Sequence, residues 1–101
     1  MITHIVQWKV KDQAFGLDKA GLLAELKNRL EALPAEIEEI ISLQVGLNEV
    51  PPSEVASDIV LISTFADWEA LGRYQKHPVH LEVGGYLKEI ATERRVVDFE
   101  H

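Results

Sequence analysis

An α+β fold in the order β-α-β-β-α-β is what this sequence predicts, on three observations. Residues 2–10 alternate between two sides, residues 59–65 (IVLISTF) are almost wholly apolar, and leucines recur at three- and four-residue steps between Asp18 and Leu33. A period of two marks a strand, and a period near 3.6 marks a helix.

The first strand places Ile2, His4, Val6, Trp8 and Val10 on one side and Thr3, Ile5, Gln7 and Lys9 on the other. Lys11 to Gly16 reads as a loop. Asp18 can cap a helix that runs to about Leu33, with Leu22, Leu26, Leu30 and Leu33 along one stripe, and Pro34 ends it or follows its end. Residues 40–47 are rich in β-formers, and the two prolines and small polar residues of 48–58 make the clearest loop. After the strand at 59–65, Asp67 caps a short helix with Trp68 as a packing residue at its start. Pro78 opens another helix to about Ile90, in which Val79, Val83, Tyr86, Leu87 and Ile90 form a stripe. Gly84 and Gly85 weaken that helix by about 1 kcal/mol each relative to alanine. Residues 94–99 (RRVVDF) are the last strand.

This order is the split βαβ or ferredoxin-like arrangement, a four-stranded antiparallel sheet with helices on one face. One face then lacks cover. Ile59 and Leu61 oppose Val60 and Ile62 in one strand, and Val97 and Phe99 oppose Val96 and Asp98 in another. Helices on one side cannot bury both sets, so the expectation is a homodimer packed through the sheet faces, a dimeric α+β barrel. The alternative is a monomer with a partly wet sheet.

The chain's 101 residues suffice for a single domain, taken as 1–101, with a thin core that a partner copy would help. A net charge of −7 argues against nucleic acid or an anionic membrane as the main partner. No cysteine is present, no basic leader precedes an apolar run, and no stretch approaches a membrane span of about 20 apolar residues. The expectation is a soluble, cytoplasmic protein.

The chemistry-bearing residues gather at YQKHPVH, Tyr74 to His80. His77 falls near the helix N-cap and His80 in the first turn, where the positive helix end disfavours imidazolium and keeps a general base neutral. Tyr74 lies three residues after Leu71 and points inward with it, placing a phenol where it can donate to a carbonyl or a developing oxyanion. Asp98 interrupts an apolar strand and needs a partner; paired with His80 it would make a base and its orienter. His4, Val6, Trp8, Ile59, Leu61 and His77 are the expected pocket residues. Each also has a plainer reading: His77 as a cap, Tyr74 and Trp8 as packing, His4 as a strand histidine and His80 as a satisfied polar group. A metal reading would take His77 and His80 with His4 or Asp98, but two spaced histidines without cysteine are weak, and neither metal nor cofactor is expected.

THIVQWKVKD, SDIVLISTFADWEAL, YQKHPVH and RRVVDFE together resemble the stress-responsive α/β-barrel family, in order and over essentially the whole chain. The H-P-x-H element is the most specific part. The resemblance implies a ferredoxin-like protomer in a barrel-forming dimer, and stable assemblies for some members. A plant member catalyses an aldol-type cyclisation of a linear polyketide without metal or cofactor. By similarity its tyrosine, base, orienting aspartate and first-strand histidine match Tyr74, His80, Asp98 and His4. Ile59 stands where that cyclase has a histidine, and Trp8 where it has a smaller aliphatic residue. The implied activity is cofactor-free cyclase, lyase or isomerase chemistry on a small apolar carbonyl compound. The alternative is a non-catalytic stress-response dimer that binds a ligand or serves structurally.

Overall fold

The computed structural model describes residues 1–50 and 54–101. Among the described residues the elements follow in the order β1 Ile2–Val10, β2 Gln13–Ala14, β3 Leu17–Asp18, α1 Lys19–Glu31, α2 Leu33–Glu36, β4 Ser42–Leu47, β5 Ile59–Phe65, α3 Trp68–Lys76, α4 Pro78–Ile90 and β6 Ala91–Glu100. The main sheet is antiparallel in the order β4-β5-β1-β6, so the first and last strands of the chain lie side by side. This is the ferredoxin-like arrangement that the alternating strands and leucine stripe imply. Of the loop expected over 48–58, residues 51–53 lie outside the described residues.

Period two sorts each central strand between two faces. Ile2, Val6, Trp8 and Val10 of β1 and Ile59, Leu61 and Phe65 of β5 are buried under the helices, while Ile5, Val60 and Ile62 on the other face are only half-covered. Leu22, Leu26 and Leu30 of α1, with Leu33 and Ile37 after it, complete the core beneath the helices. The Asp18 carboxylate accepts from the Gly21 N–H at 2.8 Å and that of Asp67 from the Ala70 N–H at 2.8 Å, satisfying amides that each helix start would otherwise leave unpaired.

Several local expectations shift. The first helix stops at Glu31, and Pro34 falls in the first turn of α2, where a missing N–H costs nothing. Lys11 to Gly16 is no open loop: Gln13–Ala14 pairs with Leu17–Asp18 through a turn whose central residues, Phe15 and Gly16, have φ of 52° and 76°. Two positive values define the type I′ hairpin turn, and a left-handed phenylalanine is costly. Its ring stacks on Tyr86 at 5.9 Å, which offsets that strain. Trp68 is 50% exposed rather than packed. The last strand begins at Ala91, directly after α4, rather than at 94.

Two stability outcomes follow from this packing. Leu26→Ala removes a fully buried side chain between helix and sheet and is expected to cost about 3 kcal/mol in urea unfolding. Gly85→Ala adds a Cβ that meets nothing within 4 Å, so it should stabilise the protein by about 1 kcal/mol in the same assay.

Candidate active site

A chamber of about 310 Å³ lies between α4 and the sheet. Its floor is β1, through His4, Val6 and Trp8, with Leu61 of β5 beside them; Leu30 and Leu33 close one side, and Val83, Gly84 and Leu87 of α4 form the roof. Tyr74 and His80 join His4 at one end, and Lys88, Ala91 and Arg94 lie along the rest of the wall. The volume falls at the small end of the range for ligand pockets.

Local structure places the three polar rings. Ala70, Leu71 and Tyr74 form the buried stripe of α3, and the Tyr74 ring, 1% exposed, packs on Phe65 at 4.8 Å. His77 joins the two helices. Its N–H donates to the Tyr74 carbonyl at 3.2 Å, closing α3, and its Nδ1 accepts from the Val79 N–H at 3.1 Å, opening α4. Its extended backbone, ψ 137°, is what a following proline favours. One turn on, His80 meets the edge of Tyr74 at 4.5 Å between ring centroids. His4 reaches the same cluster from the sheet, 6.1 Å from Tyr74.

Electrostatics separate the phenol from the imidazole. Burial pushes the Tyr74 hydroxyl up to about 12, so it remains a proton donor. His80 is held below the usual histidine value, first by burial and then by the nearby charges of His4, Arg94 and His77; the backbone of Gln75 acts in the opposite sense, as an acceptor for a ring N–H would. Burial is the first cause of that lowering, and it acts in the same sense as the helix terminus inferred from sequence. Its Nδ1 is sealed from solvent with no hydrogen-bond partner among the described residues.

Asp98 corrects the expected pairing. It faces His4 directly across the β1–β6 ladder, and His4 Nδ1 donates to its carboxylate. The orienting acid thus serves the first-strand histidine and not His80. Side chains opposite one another in an antiparallel ladder are nearest neighbours, and that contact wins over one to a helix above the sheet. His4 is only 2% exposed, so Asp98 supplies the partner that a buried imidazole requires.

Two expected pocket residues lie elsewhere. Ile59 is buried at the start of β5 and borders a different depression with Gln7, Gly46 and Leu47. His77 spends its Nδ1 on the cap and does not line the chamber. Val6, Trp8 and Leu61 do line it, with His4, Tyr74 and His80. Gly84, Lys88 and Arg94 were not foreseen as pocket residues. The four-residue spacing from His80 to Gly84 to Lys88 puts them on one helix face and was legible. Arg94 needed the strand register, which sets it opposite Trp8. Among the described residues, no three His, Asp or Glu side chains converge closely enough to hold a metal ion, and no helix is long and apolar enough to cross a membrane.

The chain is similar to proteins of the same frame. An uncharacterised protein of Streptomyces coelicolor is 32% identical over 92 residues, covering 91% of this chain and 92% of that one. A crystal structure from Bacteroides fragilis, described as a dimeric protein of unknown function with a ferredoxin-like fold, superposes with a TM-score of 0.86 at 34% identity over 99% of this chain and 95% of that one. The hydroxynitrile lyase of Passiflora edulis shares the fold with a TM-score of 0.81 at 17% identity, over 97% of this chain and 90% of that one. The profile of the family described as Stress responsive A/B Barrel Domain matches residues 2–101, and the chain belongs to that family.

Proposed function

We propose that the chamber binds a small carbonyl compound and catalyses proton transfer beside the carbonyl without a cofactor, as the first step of an aldol-type cyclisation, lyase or isomerase reaction. One observation carries the reading: a neutral imidazole and a protonated phenol stand edge to face at 4.5 Å in an apolar chamber. Because Nδ1 is sealed from solvent, Nε2 of His80 is the nitrogen assigned to take the proton in this reading. The Tyr74 hydroxyl donates to the carbonyl oxygen as it gains charge. His4, held through Nδ1 by Asp98, keeps its other nitrogen for the same chamber and helps orient the substrate. A lyase is among the proteins that share this fold, so the frame is compatible with such chemistry.

The working unit in this reading is a homodimer through the open sheet faces. Val97 is 57% exposed and Phe99 43%, on the face that also carries the half-covered Ile5, Val60 and Ile62. A contiguous apolar face of this kind favours a second copy over water, and the related Bacteroides fragilis protein is described as dimeric. The chamber lies on the opposite side of the sheet, so each protomer would keep its own.

Deuterium exchange tests the chemistry. The protein should accelerate loss of α-protons from aryl alkyl ketones in D2O, followed by NMR. His80→Ala should lower that rate by roughly 10²–10⁴-fold while the melting temperature moves only a few degrees. No acceleration across the ketone panel, or an undiminished rate in the variant, would exclude His80 as the base. The pH profile has a definite sign. Because the base is neutral His80 and its pKa lies below 6.5, the rate should hold from neutral pH down past 6.5 and fall only in more acid solution. No alkaline loss from Tyr74 is expected until near its value of about 12.

Sedimentation tests the assembly. Val97→Asp with Phe99→Asp should convert a dimer to a monomer, because a sheet-to-sheet interface would bury both carboxylates unpaired. A monomeric parent protein would refute the proposed assembly.

A further inference from the structure

Along its length the chamber changes from reactive groups to cations. His80, Gly84 and Lys88 follow one another at four-residue steps on the face of α4 that lines it, while His4, Val6 and Trp8 do the same along β1. The two elements run in the same direction, since His4 and His80 flank Tyr74 at one end and the Lys11 N–H donates to the Ile90 carbonyl at the other. Eight helical residues span roughly 12 Å, and four strand residues about 13 Å. At the far end stand Lys88 on α4 and Arg94, which pairs with Trp8 across the ladder.

Among the described residues, half of the ten basic side chains on this acidic chain are in ion pairs, and these two cations are not. Lys9, Lys19, Lys27, Arg29 and Arg73 each lie within ion-pair distance of a carboxylate. Among the described residues, no carboxylate stands that close to Lys88 or Arg94, although acidic residues outnumber basic ones by 17 to 10. A place in the last turn of α4 favours a cation at Lys88 on helix-dipole grounds. That argument does not reach Arg94, which is on a strand. Arg94 is also close enough to His80 for its charge to disfavour the imidazolium, so its field extends into the chamber. Both side chains are exposed, which leaves them free to fold over a bound molecule.

We infer that the substrate class is a carbonyl compound bearing a carboxylate on the order of 10 Å from the reacting carbon, with an apolar chain between them. The carbonyl sits between Tyr74 and His80, the chain lies on Val6, Leu61, Val83 and Leu87, and the carboxylate is held by Arg94 and Lys88. Guanidinium suits a carboxylate because its planar donors match the two oxygens in pairs. Gly84 leaves room for the chain: a Cβ there would meet nothing within 4 Å.

The inference rests on the chamber being the reaction site, and its test requires binding alone. Octanoate and octan-1-ol are matched in length and differ in the head group. By calorimetry at pH 7.5 and low salt, octanoate should bind roughly tenfold more tightly, as a charge-assisted contact allows, and the margin should shrink as salt is added. The double variant Lys88→Gln, Arg94→Gln should bring the two ligands to nearly equal affinity, and Lys88→Glu with Arg94→Glu should make octylammonium the preferred ligand. Both pairs are at the surface, and circular dichroism confirms their folding. Equal binding of octanoate and octan-1-ol by the parent protein, no binding of either, or a preference untouched by the double variant would overturn the inference. His80→Ala should retain the octanoate preference. A preserved preference in a protein that exchanges no α-protons would therefore defeat the catalytic reading and leave the carboxylate site standing.

Discussion

β1 hydrogen-bonds to β5 on one side and to β6 on the other, and this double pairing fixes where every side chain from Ile2 to Val10 goes. His4, Val6 and Trp8 become chamber floor, and Ile5 and Gln7 are assigned to the open face. The same ladder sets Asp98 against His4 and Arg94 against Trp8, so one register supplies both the carboxylate partner of a buried imidazole and the cation at the far end of the chamber. A neighbouring register would cost more than hydrogen bonds. It would leave His4 buried without an acceptor, which water cannot repair inside the core.

The same exclusion of water acts in opposite senses on the two rings above that floor. Loss of solvent disfavours whichever form carries charge, so it raises a phenol and lowers an imidazole. One environment thereby yields a lasting proton donor and a ready acceptor side by side. The aromatic cluster of Phe65, Tyr74 and His80 holds them there by packing. His77 contributes from outside the chamber, because its cap on α4 determines where the first turn, and therefore His80, begins.

Much of this frame was legible in the sequence where local rules and tertiary demands agree. The alternation of residues 2–10, the apolar run at 59–65 and the aspartates before two helices each specify an element without knowledge of the others. The pairing of Asp98 was not legible, because it depends on which residue of β1 lies opposite, and no local pattern encodes that. The Gln13–Asp18 hairpin escaped notice because an aromatic residue at positive φ runs against local preference and is supported by Tyr86, far along the chain. Ile59 has the right face but the wrong position along its strand, toward the opposite end from the polar rings. Lys88 and Arg94 resemble any solvated charge until the fold brings them together.

The junction between α4 and β6 has no connecting residue: Ile90 ends the helix and Ala91 begins the strand. A hydrogen bond from the Lys11 N–H to the Ile90 carbonyl pins that corner to the end of β1. Helix and strand thus meet at one corner, with no linker residue between them. Val97 and Phe99 lie on the far side of the strand that leaves this corner, opposite Ile5 and Thr3. Were the proposed ligand above the sheet and the proposed second copy below it both to act on this corner, any influence of one on the other would be returned by the same factor.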